Sequence, residues 1–204
     1  MTNIKLCGLR RESDIQIVNE LKPEYIGFVF AKQSKRYLSK QEAKELKRKL
    51  DKEIQAVGVF VDEEIDTIVQ MLDERVIDAI QLHGKEDEVY INTLRAKTAC
   101  MIIKAFCIET AEDIMAANAS GADIVLLDSG GGKGKPFDWS YIKDMKKPFF
   151  LAGGLQTDNV GEAIVKFSPY GVDASSCLET DGYKDREKMA AFVKAVRQER
   201  MDTV

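Results

Sequence analysis

"GVDASS", residues 171–176, is the run on which the fold turns, because it is the eighth of its kind along the chain. Seven short apolar runs precede it: "NIKLCG" (3–8), "YIGFVF" (25–30), "QAVGVFV" (55–61), "DAIQLHG" (78–84), "MIIKAF" (101–106), "DIVLLDS" (123–129) and "FFLAGGL" (149–155). Most are too short for helices and rich in Val, Ile and Phe, as strands buried on both faces should be. Between them lie charged stretches of helical period. "SKQEAKELKRKLDK" (39–52) begins with Ser39, whose hydroxyl can cap the free amides of a helix start. "DEEIDTIVQMLDE" (62–74) sets Ile65, Ile68, Val69 and Leu72 on one stripe, and "YKDREKMAAFVKAVRQER" (183–200) turns Met189, Phe192, Val193 and Val196 inward. The sixth helix, near "DWSYIKDM" (138–145), has the weakest pattern.

The chain therefore reads as α/β: eight strand–helix units of roughly 25 residues each, near the low end for a (β/α)₈ barrel. An open doubly wound sheet is the competing architecture, and eight regular units favour closure. No linker, low-complexity stretch or charge block divides the sequence, so residues 1–204 are expected to form a single barrel domain.

Composition narrows the classes of function. The chain has 204 residues, with 30 basic against 34 acidic ones and a formal charge of −4, so no net basic field draws it to nucleic acid. "MTNIKLCGLR" has no apolar signal region, and no segment nears the 18 apolar residues of a membrane span. A cytoplasmic location is expected. The four cysteines (Cys7, Cys100, Cys107 and Cys177) form no CxxC pair, which disfavours zinc, and in a reducing compartment they are expected as free thiols.

In such barrels chemistry sits at the C-terminal ends of the strands. Those ends carry Cys7-Gly8, Phe30 with Arg36 in the following loop, Asp62, His83-Gly84, Asp128-Ser129, Gly153-Gly154 and Ser175-Ser176. The glycines of "LAGGL" (151–155) let backbone amides approach an anion, and the serines of "GVDASS" add donors. A short helix after the eighth strand would point its amides at the same spot, where many barrels hold a substrate phosphate. "SGGGKGKPFDW" (129–139) reads either as a flexible loop or as a flap closing over an anion through Gly131, Gly132 and Lys133 or Lys135, with Phe137 and Trp139 anchoring its far end. Each remaining residue also has a plain reading. Cys7 can be a small buried hydrophobe, Asp128 a cap for the glycine loop, His83 a hydrogen-bonded structural residue and Arg36 a solvated charge.

The ordered set "KLCGL", "GFVF…SKRYLS", "VGVFV", "QLHG", "LLDSGGGKGKPFDW", "LAGGL" with "NV" four residues on, and "GVDASS…E…G…KD" resembles the phosphoribosylanthranilate isomerases from residue 3 to about 190. The resemblance implies a phosphate-binding barrel of tryptophan biosynthesis that needs no metal or organic cofactor. It implies an Amadori rearrangement of N-(5-phosphoribosyl)anthranilate to 1-(2-carboxyphenylamino)-1-deoxyribulose 5-phosphate. It makes Cys7 the general base and Asp128 the general acid. It assigns Arg36 and His83 to the substrate pocket, Arg36 near the anthranilate carboxylate. Gly153, Gly154, Ser175 and Ser176 correspond to its phosphate site.

Those residue types suit the chemistry. Asp128 can protonate the ring oxygen if its site raises the pKa from about 3.9 toward neutrality, and Cys7 is a workable base, more so beside a cation. Three positions depart from the family: Arg10 where Thr is often found, Lys133 where Thr or Ser is common, and Cys177 where Gly is usual. A Cys177 forced to φ > 0 would be strained. The rival functions are a related or dual-substrate aminoaldose-phosphate isomerase of histidine biosynthesis, which uses two aspartates, and a non-catalytic phosphometabolite-binding barrel.

Overall fold

The computed structural model describes residues 2–130 and 137–198. Eight parallel strands close into a barrel in sequence order, with the first paired to the last. The strands are β1 (Asn3–Cys7), β2 (Tyr25–Val29), β3 (Gln55–Phe60), β4 (Ala79–Leu82), β5 (Ile102–Cys107), β6 (Ile124–Asp128), β7 (Phe149–Leu151) and β8 (Gly171–Ala174). The helices around them are α1 (Glu12–Leu21), α2 (Lys40–Lys49), α3 (Ile65–Asp73), α4 (Glu88–Lys97), α5 (Ala111–Ala119), α6 (Val160–Phe167) and α7 (Arg186–Gln198).

Local chemistry accounts for the helix ends. Ser39 accepts from the Glu42 amide while the Glu42 carboxylate accepts from the Ser39 amide, and Lys47, Arg48 and Lys49 complement the far end of α2. In α7, Met189, Phe192, Val193 and Val196 are buried as their spacing predicts. In α3 it is Ile68 and Met71 that are buried most deeply, with Ile65, Val69 and Leu72 packed partly against the core.

Two units depart from the regular pattern. A single 3₁₀ stretch, Trp139–Asp144, stands where the sixth α-helix was expected. Asp138 caps its start through the Ser140 amide, and the chain is already extended at Met145, three residues before Pro148. Phe137 and Trp139 pack on the core as expected, Trp139 edge-on to Phe167. After β8 comes one 3₁₀ turn, Ser176–Leu178, and then a small antiparallel pair, β9 (Glu179–Thr180) with β10 (Tyr183–Lys184), before α7 begins.

Two apolar layers hold the barrel. The larger lies between strands and helices; the smaller fills the interior with Tyr25, Val57, Ala79, Ile103, Leu126 and Phe150. Phe150 meets Tyr25 and Tyr170 edge-on at 5.6 and 5.3 Å, and burying the Phe150 ring is worth about 1.5–3 kcal/mol. This filled floor closes the lower half of the barrel and leaves its upper rim for polar side chains. No described helix is long and apolar enough to cross a membrane.

Candidate active site

The rim at the C-terminal ends of the strands surrounds a cavity of about 980 Å³. Its lining includes Cys7, Arg36, His83, Asp128, Gly153, Gly154, Ser175 and Ser176, so these expected residues share one space. Gly131, Gly132, Lys133 and Lys135 lie outside the described residues. Phe30 belongs to the core, stacked on Phe60, and Asp62 is turned to accept from the Lys85 amide; neither lines this cavity.

Cys7 ends β1 opposite Gly27 of β2. A methyl group at Gly27 would sit 2.5 Å from the Cys7 sulfur, so that glycine makes the space the thiol occupies. Gly8, at φ 83°, then turns the chain where any side chain would strike Arg36. Burial is the largest influence on the thiol and pushes its pKa up; Lys5 and Lys184 pull the other way, and Asp173 adds to the rise. The expected gain in thiolate from nearby cations is therefore corrected. The cations are present, but loss of hydration outweighs them.

Asp128 ends β6. Its Oδ1 accepts from the Ser129 amide at 2.8 Å, and Oδ2 lies 3.6 Å from His83 Nε2. Burial is again the largest single influence and raises the pKa, yet His83 and the amides of Ser129 and Gly130 together hold the carboxyl below its ordinary value. This corrects the expectation of an acid raised toward neutrality: a facing imidazole and two amides favour the ionised form. With the Gln81 amide as assigned, its nitrogen donates to His83 Nδ1 at 2.8 Å, leaving the ring proton on Nε2 toward Asp128. Gly153, at φ 70°, lies against this group; a methyl there would come within 2.6 Å of Asp128 Oδ1.

Arg36 is not a solvated charge. Its Nε and Nη2 form a fork on the Glu179 carboxylate at 2.6 and 2.7 Å, which raises its pKa and holds Glu179 below the carboxylate norm against the opposing effect of burial. Lys184, almost fully buried, donates to Glu179 at 2.7 Å and to the Ser175 carbonyl at 2.9 Å. Ser175 Oγ donates to the Cys7 carbonyl at 3.0 Å. A continuous polar chain thus joins Arg36 to the loop after β8 and to the strand end bearing Cys7. Cys177 lies within the 3₁₀ turn and is absent from the residues at positive φ, so the strain considered for it does not arise. None of the four cysteines is joined in a disulfide.

Sequence reasoning missed Lys5, Gln81, Asp173, Glu179 and Lys184. Lys5, Gln81 and Asp173 carried a usable signal: each is a polar residue inside a run otherwise suited to burial on both faces. Glu179 and Lys184 stood in the matched motif without a role.

Comparison with known proteins points to one family. The family model described as N-(5'-phosphoribosyl)anthranilate (PRA) isomerase matches residues 4–195. The N-(5'-phosphoribosyl)anthranilate isomerase of Endomicrobium trichonymphae is 45% identical, covering 97% of this chain and 99% of its own length. That of Thermoanaerobacter sp. (strain X514) is 43% identical, with 97% and 98% covered. Among solved structures, the Thermotoga maritima phosphoribosyl anthranilate isomerase superposes with a TM-score of 0.88 at 33% identity, over 97% of this chain and all of its own (100%). A phosphoribosyl anthranilate isomerase in complex with reduced 1-(o-carboxyphenylamino)-1-deoxyribulose 5-phosphate gives a TM-score of 0.85 at 31% identity, with the same coverage.

Proposed function

The chain belongs to the phosphoribosylanthranilate isomerase family, and from that premise we propose that it rearranges N-(5-phosphoribosyl)anthranilate with Cys7 as base and Asp128 as acid. The observation that supports this reading is that the two groups line one cavity together with a guanidinium and two loops of small residues.

The substrate's phosphate sits against the loops bearing Gly153, Gly154, Ser175 and Ser176, and its aryl carboxylate meets the outer edge of Arg36, whose other edge is occupied by Glu179. Asp128 transfers its proton to the furanose ring oxygen as the C1–O bond breaks, leaving an iminium at C1. The iminium acidifies the hydrogen on C2, which Cys7 removes. The electron pair from that C–H bond forms the enolamine, and tautomerisation to the ketone returns a proton to C1. Asp128 must be protonated for the first step. Substrate that displaces water deepens the burial already acting on this carboxyl, which favours its protonated form, and His83 Nε2 faces Oδ2 and orients the group.

The test is anthranilate fluorescence with freshly prepared phosphoribosylanthranilate. Loss of substrate fluorescence together with formation of the ketose product supports isomerisation. Binding without turnover, or breakdown to free anthranilate, contradicts it.

A further inference from the structure

Lys5 has no task in the scheme above. It lies two residues before Cys7 on β1, so both side chains enter the barrel, and its own is wholly buried. Its ammonium donates to Asp173 Oδ1 at 2.8 Å across the β1–β8 pair and acts electrostatically on the Cys7 thiol. Toward β2 and β3 the thiol meets Gly27, Val29 and Val59 and no charge. The charged groups acting on it come from the other sides: Lys5 beneath, Asp173 on β8, Lys184 on β10 and Arg36 in the loop after β2, with Glu179 bridging the last two. His83 and Asp128 form a separate pair in the same cavity.

The charges in this cluster do not balance by themselves. Lys5, Arg36 and Lys184 are three cations, whereas Asp173 and Glu179 are two carboxylates. Burial acts strongly against the Lys5 charge, yet Asp173 and Cys7 together outweigh it and hold the ammonium above the ordinary lysine value.

We propose that Lys5 is a positioning residue for the base: clamped by Asp173, it supplies the positive charge against which the Cys7 thiolate forms. The inference rests on the reading of Cys7 as the base, but its test does not need turnover.

The test is the pH dependence of Cys7 alkylation by iodoacetamide, resolved by peptide mass spectrometry so that Cys100, Cys107 and Cys177 are scored separately. An opposite charge in contact shifts a pKa by about 1–3 units. Lys5→Met should therefore move the alkylation midpoint up and slow the reaction about tenfold or more near neutral pH. Lys5→Arg keeps the charge and should leave the midpoint close to wild type, whereas Lys5→Gln should move it up as Lys5→Met does. A purely structural role gives no reason for the midpoint to follow charge rather than shape. A Lys5→Met midpoint that stays put, or a Lys5→Arg midpoint that rises as far, overturns the proposal. Should Lys5→Met fail to fold by circular dichroism, Lys5→Gln is read against Lys5→Arg in its place: a higher midpoint in Lys5→Gln alone supports the proposal, and equal midpoints overturn it. Loss of isomerase activity in Cys7→Ser is a separate measurement, so failure of the base assignment and failure of the Lys5 assignment remain distinguishable.

Discussion

Gly27→Ala tests the geometry of the site with one added methyl group. The new carbon would lie 2.5 Å from the Cys7 sulfur and 3.1 and 3.2 Å from its Cα and Cβ. Carbon contacts are comfortable at about 3.5–4.0 Å, so the sulfur has to retreat by about 1 Å. Displacements of that size cost on the order of 100-fold in rate, about 2.7 kcal/mol of barrier. Gly27 lies in a strand and is not among the glycines at positive φ, so alanine fits its backbone and the penalty falls on packing. Overpacking of this kind costs about 1–3 kcal/mol, a loss of roughly 2–4 °C in Tm per kcal/mol for a chain of this size. The assay is steady-state fluorescence kinetics beside a thermal melt. The expected result is a folded protein with kcat reduced about 100-fold and KM nearly unchanged, because the phosphate and carboxylate contacts are elsewhere. Wild-type kcat in a folded Gly27→Ala protein would refute the claim that the position of this sulfur governs the reaction.

Two further outcomes follow from the polar groups of the rim. Glu179→Gln removes the negative charge that orients Arg36; a charge-assisted bond is worth about 1.5–3 kcal/mol, so KM should rise about tenfold with a smaller change in kcat, and an unchanged KM would contradict the positioning of Arg36 by Glu179. Asp128 has its folded-state pKa held below 3.8, so its contribution to stability is fully present above its unfolded value and fades as pH falls through the folded one. The Tm difference between wild type and Asp128→Asn should therefore widen in the wild type's favour as pH climbs from about 2 to about 5, and a difference constant over that range contradicts the assigned shift.

The barrel was legible because eight strands buried on both faces leave unbroken apolar runs, and because strand ends can be counted from those runs. Cys7, His83 and Asp128 were legible for the same reason, each standing at or just beyond a strand end. What the sequence did not expose was the balance of forces at those positions. Asp128 was expected to be raised because an acid is needed there, but the imidazole of His83 comes from β4, two strands away, and only closure of the barrel brings it within reach. The fork of Arg36 on Glu179 spans 143 positions of sequence, and no local pattern records it. Lys5 and Asp173 broke the apolar pattern in plain view; their meaning required the β1–β8 register that sets them side by side. At the expected sixth helix a single 3₁₀ stretch ends at Asp144, which the weak apolar periodicity of 138–145 did not specify.

The account's central claim is that Cys7 moves a proton in a site that binds its ligand without it. The direct measurement is Cys7→Ser, with kcat followed by fluorescence and affinity for the reduced product analogue measured by calorimetry. General bases contribute about 10²–10⁴-fold, so kcat should fall by that much while the dissociation constant stays within about threefold. A kcat close to wild type, or a parallel loss of affinity and turnover, would contradict the claim.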